Sequence, residues 1–218
     1  MNHDRVSEHV VRQRDADRTK AELLAEATAA FAESGFSGTR VDDIAERSSS
    51  TKRMIYYYFG SKEQLYLAVL ENAYREVRQA EQALEIGGLD PVEAVRRLAE
   101  FSYDHHLEHG DFVRLVAIEN IHKGRFIGRL ESLREANKPV LSLLDEILSR
   151  GRAAGLFRED VDALDVHLVI SSYCVFHVAN RYTFGYLFDP TLTDPHRKAH
   201  FRAMIGDVVV AWLTRRAS

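Results

Sequence analysis

One cysteine, four prolines and no long apolar run set the first limits on this chain of 218 residues. A lone thiol, Cys174, cannot close an intrachain disulfide and fits a reducing compartment, so a cytoplasmic location is expected. No stretch approaches the ~18 consecutive apolar residues of a membrane helix, and no early apolar segment reads as a secretory signal. No membrane partner is therefore expected. Positive charge is not in excess either: 29 basic against 33 acidic side chains give a net charge of -4. That balance excludes a nonspecific basic coat and confines any nucleic-acid contact to a local patch. A GxSxG elbow, a GxxxxGK[ST] phosphate loop and a GxGxxG turn are all missing, so no catalytic residue and no cofactor is assigned. With so few prolines and abundant alanine, leucine and charged residues, the composition points to an all-α protein.

What is present is organised around Thr39 to Lys62, TRVDDIAERSSSTKRMIYYYFGSK. Val41, Ile44 and Ala45 fall on one helical face, and Met54, Ile55, Tyr58 and Phe59 repeat the spacing a few residues later. Two short helices with an inward side each are predicted, joined by a polar turn at Ser48-Ser49-Ser50. From Arg47 to Lys62 the charged side chains are Arg47, Lys52, Arg53 and Lys62, all positive. A short amphipathic helix that offers Thr51, Lys52 and Arg53 at its start, beside tyrosines, suits phosphates and base edges. Short basic helix pairs also occur in helical proteins that never meet DNA, and spacing alone leaves both readings standing.

The segment resembles the N-terminal domain of the TetR family of transcriptional repressors. The resemblance rests on Phe31, Gly35-Phe36, Gly38-Thr39-Arg40-Val41, Ile44-Ala45, Tyr57-Tyr58-Phe59 and Ser61-Lys62-Glu63-Gln64-Leu65. It covers about the first third of the chain. Where the family carries Ala-Gly-Val before its reading helix, this chain has Ser48, Ser49 and Ser50, which puts a serine at a left-handed turn position. The resemblance implies a three-helix helix-turn-helix domain followed by a larger helical bundle, about nine helices in all. Residues 1–16 are expected as a flexible arm, in which Arg5, Arg12 and Arg14 can reach a minor groove, 17–60 as the DNA-binding domain, and 61–218 as an effector-binding and dimerisation domain. Thr51, Lys52 and Arg53 are expected against base edges of double-stranded operator DNA, with Thr39, Arg40, Tyr57 and Lys62 positioning its backbone.

Along the chain, Gly35 supplies a helix end and Thr39 reads as the N-cap of the second helix. Ser61 followed by Gln64 opens a helix of some 25 residues, ~40 Å long, that links the reading head to the second domain. Asp90-Pro91 marks the next start. Helices are expected to about His109, from Asp111, from Leu130 to Arg150 around Pro139, from Ala163 to Leu187, and from Asp194-Pro195. The last two are apolar on several faces and need cover on several faces, which an identical partner would supply. A homodimer through them is therefore expected, the alternative being that they are simply the monomer's core.

Tyr173, His177, Asn180 and Phe184 share one face of an apolar helix. They read either as satisfied core residues or as the lining of a pocket completed by Phe101, His105, Glu119 and Asn120. The composition suits a small planar or aromatic effector. His105 with His109 and His196 with His200 have the spacing of helical metal pairs, but ten histidines produce such pairs by chance, and no metal is assigned. The function expected is a ligand-responsive regulator, most simply a repressor released from a palindromic operator by a small molecule. The rival is an all-helical enzyme or protein-binding module indifferent to DNA sequence.

Overall fold

Apolar residues recurring every three or four positions fold the chain into ten α-helices, with no strand among the described residues. A computed structural model describes the backbone of residues 2–215, and side chains from residue 14 onward. The helices are α1 (Asn2–Gly38), α2 (Val41–Arg47), α3 (Lys52–Phe59), α4 (Lys62–Gln82), α5 (Pro91–Glu108), α6 (Gly110–Ile121), α7 (Glu131–Ala153), α8 (Ala163–Ala179), α9 (Arg181–Leu187) and α10 (Lys198–Thr214). Two compact units emerge, one of residues 1–73 with 114–130, the other of 74–113 with 131–218. The division thus falls inside α4 and α6 rather than at residue 60.

In the first unit, α1 starts at Asn2, within the segment expected as an arm. No glycine or proline precedes Gly35, so nothing local stops the helix from running back. The side chains of Arg5 and Arg12, and with them the minor-groove role, lie outside the described residues. Gly35 ends the regular helix as expected, at φ 68°, where an L side chain would be strained. The core joins Leu23, Ala27 and Phe31 of α1 to Ile44 of α2, Ile55 of α3 and Leu65, Val69 and Leu70 of α4, all buried. Tyr66 lies edge-on to Phe31 at 4.9 Å and to Phe126 at 5.0 Å. Its hydroxyl donates to Glu119 Oε1 at 3.0 Å.

In the second unit α5 packs against α7, α8 and α10 around Val95, Leu98, Tyr103, Leu144, Ile170, Cys174, Ile205 and Val209. Asp90 caps α5, accepting from the Val92 N–H at 2.9 Å, with Pro91 at the first helical position. Pro139 is accommodated inside α7. The single helix expected from Ala163 to Leu187 is two, because α8 stops at Ala179. Asn180, at φ -101° and ψ 2°, turns its amide back to the Phe176 carbonyl and breaks the run. Asp194-Pro195 begins a short 3₁₀ turn, Pro195–Arg197, before α10 proper.

Candidate nucleic-acid interface and ligand groove

The reading helix is short, and its ends are fixed by named bonds. Thr51 is the N-cap of α3, its Oγ1 accepting from the Met54 N–H at 3.3 Å. Gly60 ends the helix at φ 78°. Ile55 and Phe59 bury the inner side, which leaves Lys52, Arg53, Tyr56 and Tyr57 on the outer one, Tyr57 being 78% exposed. Before it, Ser49 occupies the left-handed conformation at φ 50°, at the position where the sequence comparison placed a glycine. Ser48 steadies the turn by donating its hydroxyl to the Ile44 carbonyl at 2.8 Å.

Lys52 is already engaged, its Nζ 3.0 Å from Asp42 Oδ1, whereas Arg40 and Arg53 have no ion-pair partner among the described residues. Lys62, at the first turn of α4, lies with its ammonium 4.7 Å from the Phe36 ring centre, and burial lowers its pKa. Ser61 Oγ accepts from the Gln64 N–H at 3.1 Å, the cap predicted for this helix. Thr39 requires a correction. It is 4% exposed, and its hydroxyl is turned inward toward the carbonyls of Ala30 at 3.0 Å and Gly35 at 2.8 Å. Arg40, not Thr39, stands at the N-cap of α2 and makes no side-chain cap bond. The threonine closes the end of α1 instead, because those carbonyls have lost their helical partners.

The second unit carries an open groove of about 680 Å³ between α8, α9 and α10. Tyr173, His177, Asn180 and Phe184 line it, with Phe201 and Met204 opposite. Its polar groups are largely satisfied within the chain: Tyr173 donates to the Phe201 carbonyl at 3.0 Å, and the Tyr103 hydroxyl and His177 Nε2 are 3.1 Å apart. Burial lowers the His177 pKa, with Arg181 and Arg197 adding to the effect, so the ring is held neutral. Beside the groove Leu164, Leu168 and Phe176 stand exposed along α8, and Val208 along α10.

Residues 23–69 match the family described as "Bacterial regulatory proteins, tetR family", and residues 91–209 match "Tetracyclin repressor-like, C-terminal domain". The HTH-type transcriptional repressor NicS of Pseudomonas putida is 38% identical over 205 residues, covering 94% of this chain and 97% of that protein. The chain belongs to the TetR family. Solved TetR structures agree in fold. PfmR from Thermus thermophilus has a TM-score of 0.61 at 26% identity, over 88% of this chain and 99% of that one. A bacterial regulatory protein of the tetR family from Rhodococcus has a TM-score of 0.70 at 16% identity, over 89% of this chain and 96% of that one.

Within this TetR chain the eight residues expected around an effector do not form one site. Tyr173, His177, Asn180 and Phe184 meet at the groove. Glu119 belongs to the first unit, where its buried carboxylate accepts from Tyr66 and from the N–H groups of Phe126 at 3.1 Å and Ile127 at 2.9 Å. It pins the turn after α6 and has no role in the groove. Asn120 is exposed and returns its amide to the Val116 carbonyl at 2.8 Å, an ordinary helical back-bond. Phe101 and His105 stack at 5.6 Å outside the groove lining, and His105 also lies 4.2 Å from the His109 ring.

Sequence reasoning passed over Tyr56, although i, i+4 spacing from Lys52 puts it on the outer face of α3. It also passed over Arg78 and Glu81, buried together on α4. The signal was there: Leu70, Tyr74, Arg78, Glu81 and Leu84 follow one helical stripe, two opposite charges among apolar neighbours.

Proposed function

We propose that this TetR-family chain is a ligand-responsive transcriptional repressor that binds a palindromic operator as a homodimer. The observation that carries the reading is the outer face of α3, where Arg53, Lys52, Tyr56 and Tyr57 project together from a helix capped at Thr51 and anchored by Ile55 and Phe59. Arg53 and Thr51 approach base edges, while Arg40, Tyr57 and Lys62 hold phosphates, Lys62 at the positive end of α4. The kinship with NicS, a transcriptional repressor of nearly the same length, supports repression over a catalytic role.

Dimerisation follows from the apolar stripe left open along α8 and α10. A second copy related by a two-fold axis covers Leu164, Leu168, Phe176 and Val208 with the same residues, as an isologous interface does. Two reading helices then face half-sites one DNA turn apart, ~34 Å. Effector bound in the second unit acts through α4 and α6, each of which contributes residues to both units. It releases the operator only as far as it binds the non-reading state more tightly, since equal affinity for both states shifts nothing.

Selection of bound duplexes from a random pool, followed by anisotropy titrations over a range of salt, tests the reading. A palindromic consensus bound with a steep salt dependence is expected. Uniform weak binding to every duplex would remove the repressor reading.

A further inference from the structure

The second unit holds a buried polar cluster, none of whose members lines the groove. Arg78 and Glu81, three residues apart on α4, are 7% and 4% exposed. Arg78 Nη1 and Glu81 Oε2 lie 2.7 Å apart, yet at an angle that makes no hydrogen bond, and Arg78 Nε is also without a partner. On α5, buried His105 has an unpartnered Nδ1, and the neighbouring His106 gives its own Nδ1 to the Ser102 carbonyl at 2.7 Å. The Arg78 charge is felt by His105, His106 and, on α8, His167. Three helices thus bring one guanidinium, one carboxyl and three imidazoles into a common interior neighbourhood.

Such a group is costly when empty. A buried donor left unmade forfeits ~1–3 kcal/mol, and more when it is charged. Two bare guanidinium N–H groups beside a bare imidazole nitrogen therefore point to a guest rich in acceptors. The charge of that guest is bounded as well. Glu81 partly neutralises the single arginine and the histidines are held neutral by burial, so a monoanion fits and a phosphate dianion does not. A cation would meet the arginine directly. Its shape follows from the rings beside the cluster: Phe112 lies edge-on to His106 at 5.6 Å and to Tyr74 at 5.1 Å, and Phe101 leans on His105. These surfaces favour a flat apolar body.

We propose that the Arg78 cluster is an anion site that receives the carboxylate of a small aromatic acid, and that this acid is the effector. The assignment rests on the reading of the chain as an effector-controlled repressor. Arg78 donates to the guest carboxylate through Nε and Nη1, and His105 Nδ1 supplies a further bond. Glu81 competes with the guest for Arg78, so it sets the affinity rather than contributing to it.

The test is calorimetric titration of the full-length protein with sodium benzoate and with benzamide, which has the same shape without the charge. Wild type is expected to bind benzoate at least ~10-fold more tightly than benzamide, the factor that 1.4 kcal/mol represents. Arg78→Gln loses that preference, Arg78→Lys keeps part of it, and Glu81→Gln binds benzoate more tightly than wild type. Because Arg78→Gln removes a buried cation and its fold can suffer, the two other variants carry the test if it does. Equal affinity for the two probes, an undiminished benzoate preference in Arg78→Gln, weaker benzoate binding by Glu81→Gln, or no benzoate binding by wild type would each overturn the site. Operator titrations in parallel separate the two readings. Operator binding without a benzoate response removes the anion site alone, whereas a benzoate response without operator binding removes the repressor reading and leaves the site.

Discussion

Ser49 holds φ 50° in the turn between α2 and α3, a conformation that places its Cβ against the following carbonyl. Ser49→Gly relieves that contact at the expense of a more flexible unfolded chain, so a net gain of ~0.5–1 kcal/mol is expected, read as a higher urea midpoint at unchanged slope. The Lys52 pair with Asp42 is half-exposed on both sides, and such pairs contribute at most ~1 kcal/mol. Its consequence is for binding. Asp42→Asn frees Lys52 for a phosphate and removes a negative charge from the reading face, so operator affinity rises ~2–5-fold at low salt with a steeper salt slope. Anisotropy titrations would show it, and an unchanged slope would mean that Lys52 does not reach the backbone. Glu81 makes a further prediction, of pH dependence. Burial raises its pKa to about 7 against an opposing pull from Arg78, whereas in the unfolded chain it titrates near ~4.3. Between those values the folded protein keeps a proton that the unfolded chain has released, so Glu81 makes stability fall as pH rises, by up to ~1.4 kcal/mol per pH unit. Buried His105 and His167, with pKa values of about 4, work the other way: they stay neutral in the fold while the unfolded chain gains protons below ~6.5. Glu81→Gln should therefore gain stability with pH between ~4.5 and ~6.5 more steeply than wild type in urea titrations.

Elements were legible where local chemistry fixes them. Gly35, Thr51 at the start of α3, Ser61 before α4 and Asp90-Pro91 before α5 all carry their signals within four residues, and each is found doing the local work assigned to it or, for Thr51, capping the helix it opens. The groove face of α8 was equally readable, because Tyr173, His177 and Asn180 follow helical spacing. What escaped reading depends on partners far away in sequence. Thr39 has the right type and place for a cap, but the carbonyls it satisfies belong to Ala30 and Gly35 on the preceding helix. Glu119 looks like any polar residue near a pocket until Tyr66, 53 positions earlier, claims it. The break at Asn180 rests on a competition between side-chain and main-chain bonds, and neither type of residue nor spacing decides that contest. A case of the same kind lies at Gly151 in α7, where an added Cβ would come within 2.0 Å of the buried Phe157 ring. Gly151→Ala is expected to destabilise the second unit by ~1–3 kcal/mol, since the ring cannot retreat without opening the core around it. Thermal unfolding would register the loss, and Phe157→Leu in the same chain should restore part of it.

At the scale of the whole molecule, the decisive property is that the exposed stripe of α8 is far from the reading helix in sequence, yet it controls whether two such helices act together. Leu168 is 62% exposed in the single chain, so a charged side chain there costs the protomer little. In a two-fold interface the same side chain meets its mate or that mate's neighbours, and two buried carboxylates without partners are expensive. Leu168→Glu is therefore expected to sediment as a monomer at concentrations where wild type is a dimer, with its helical circular dichroism retained. Each monomer then binds one half-site, the second contact no longer benefits from tethering, and operator affinity falls by ~100-fold or more. Arg53→Gln provides the contrast. It removes a charge from the reading face and leaves α8 untouched, so it should stay dimeric while its preference among operator bases changes, each lost base contact being worth ~1–3 kcal/mol. If Leu168→Glu remained dimeric, the two-fold axis would have to lie elsewhere on the second unit. If it became monomeric but bound the operator as tightly as wild type, the reading unit would recognise DNA without pairing, and the spacing of half-sites would carry no information.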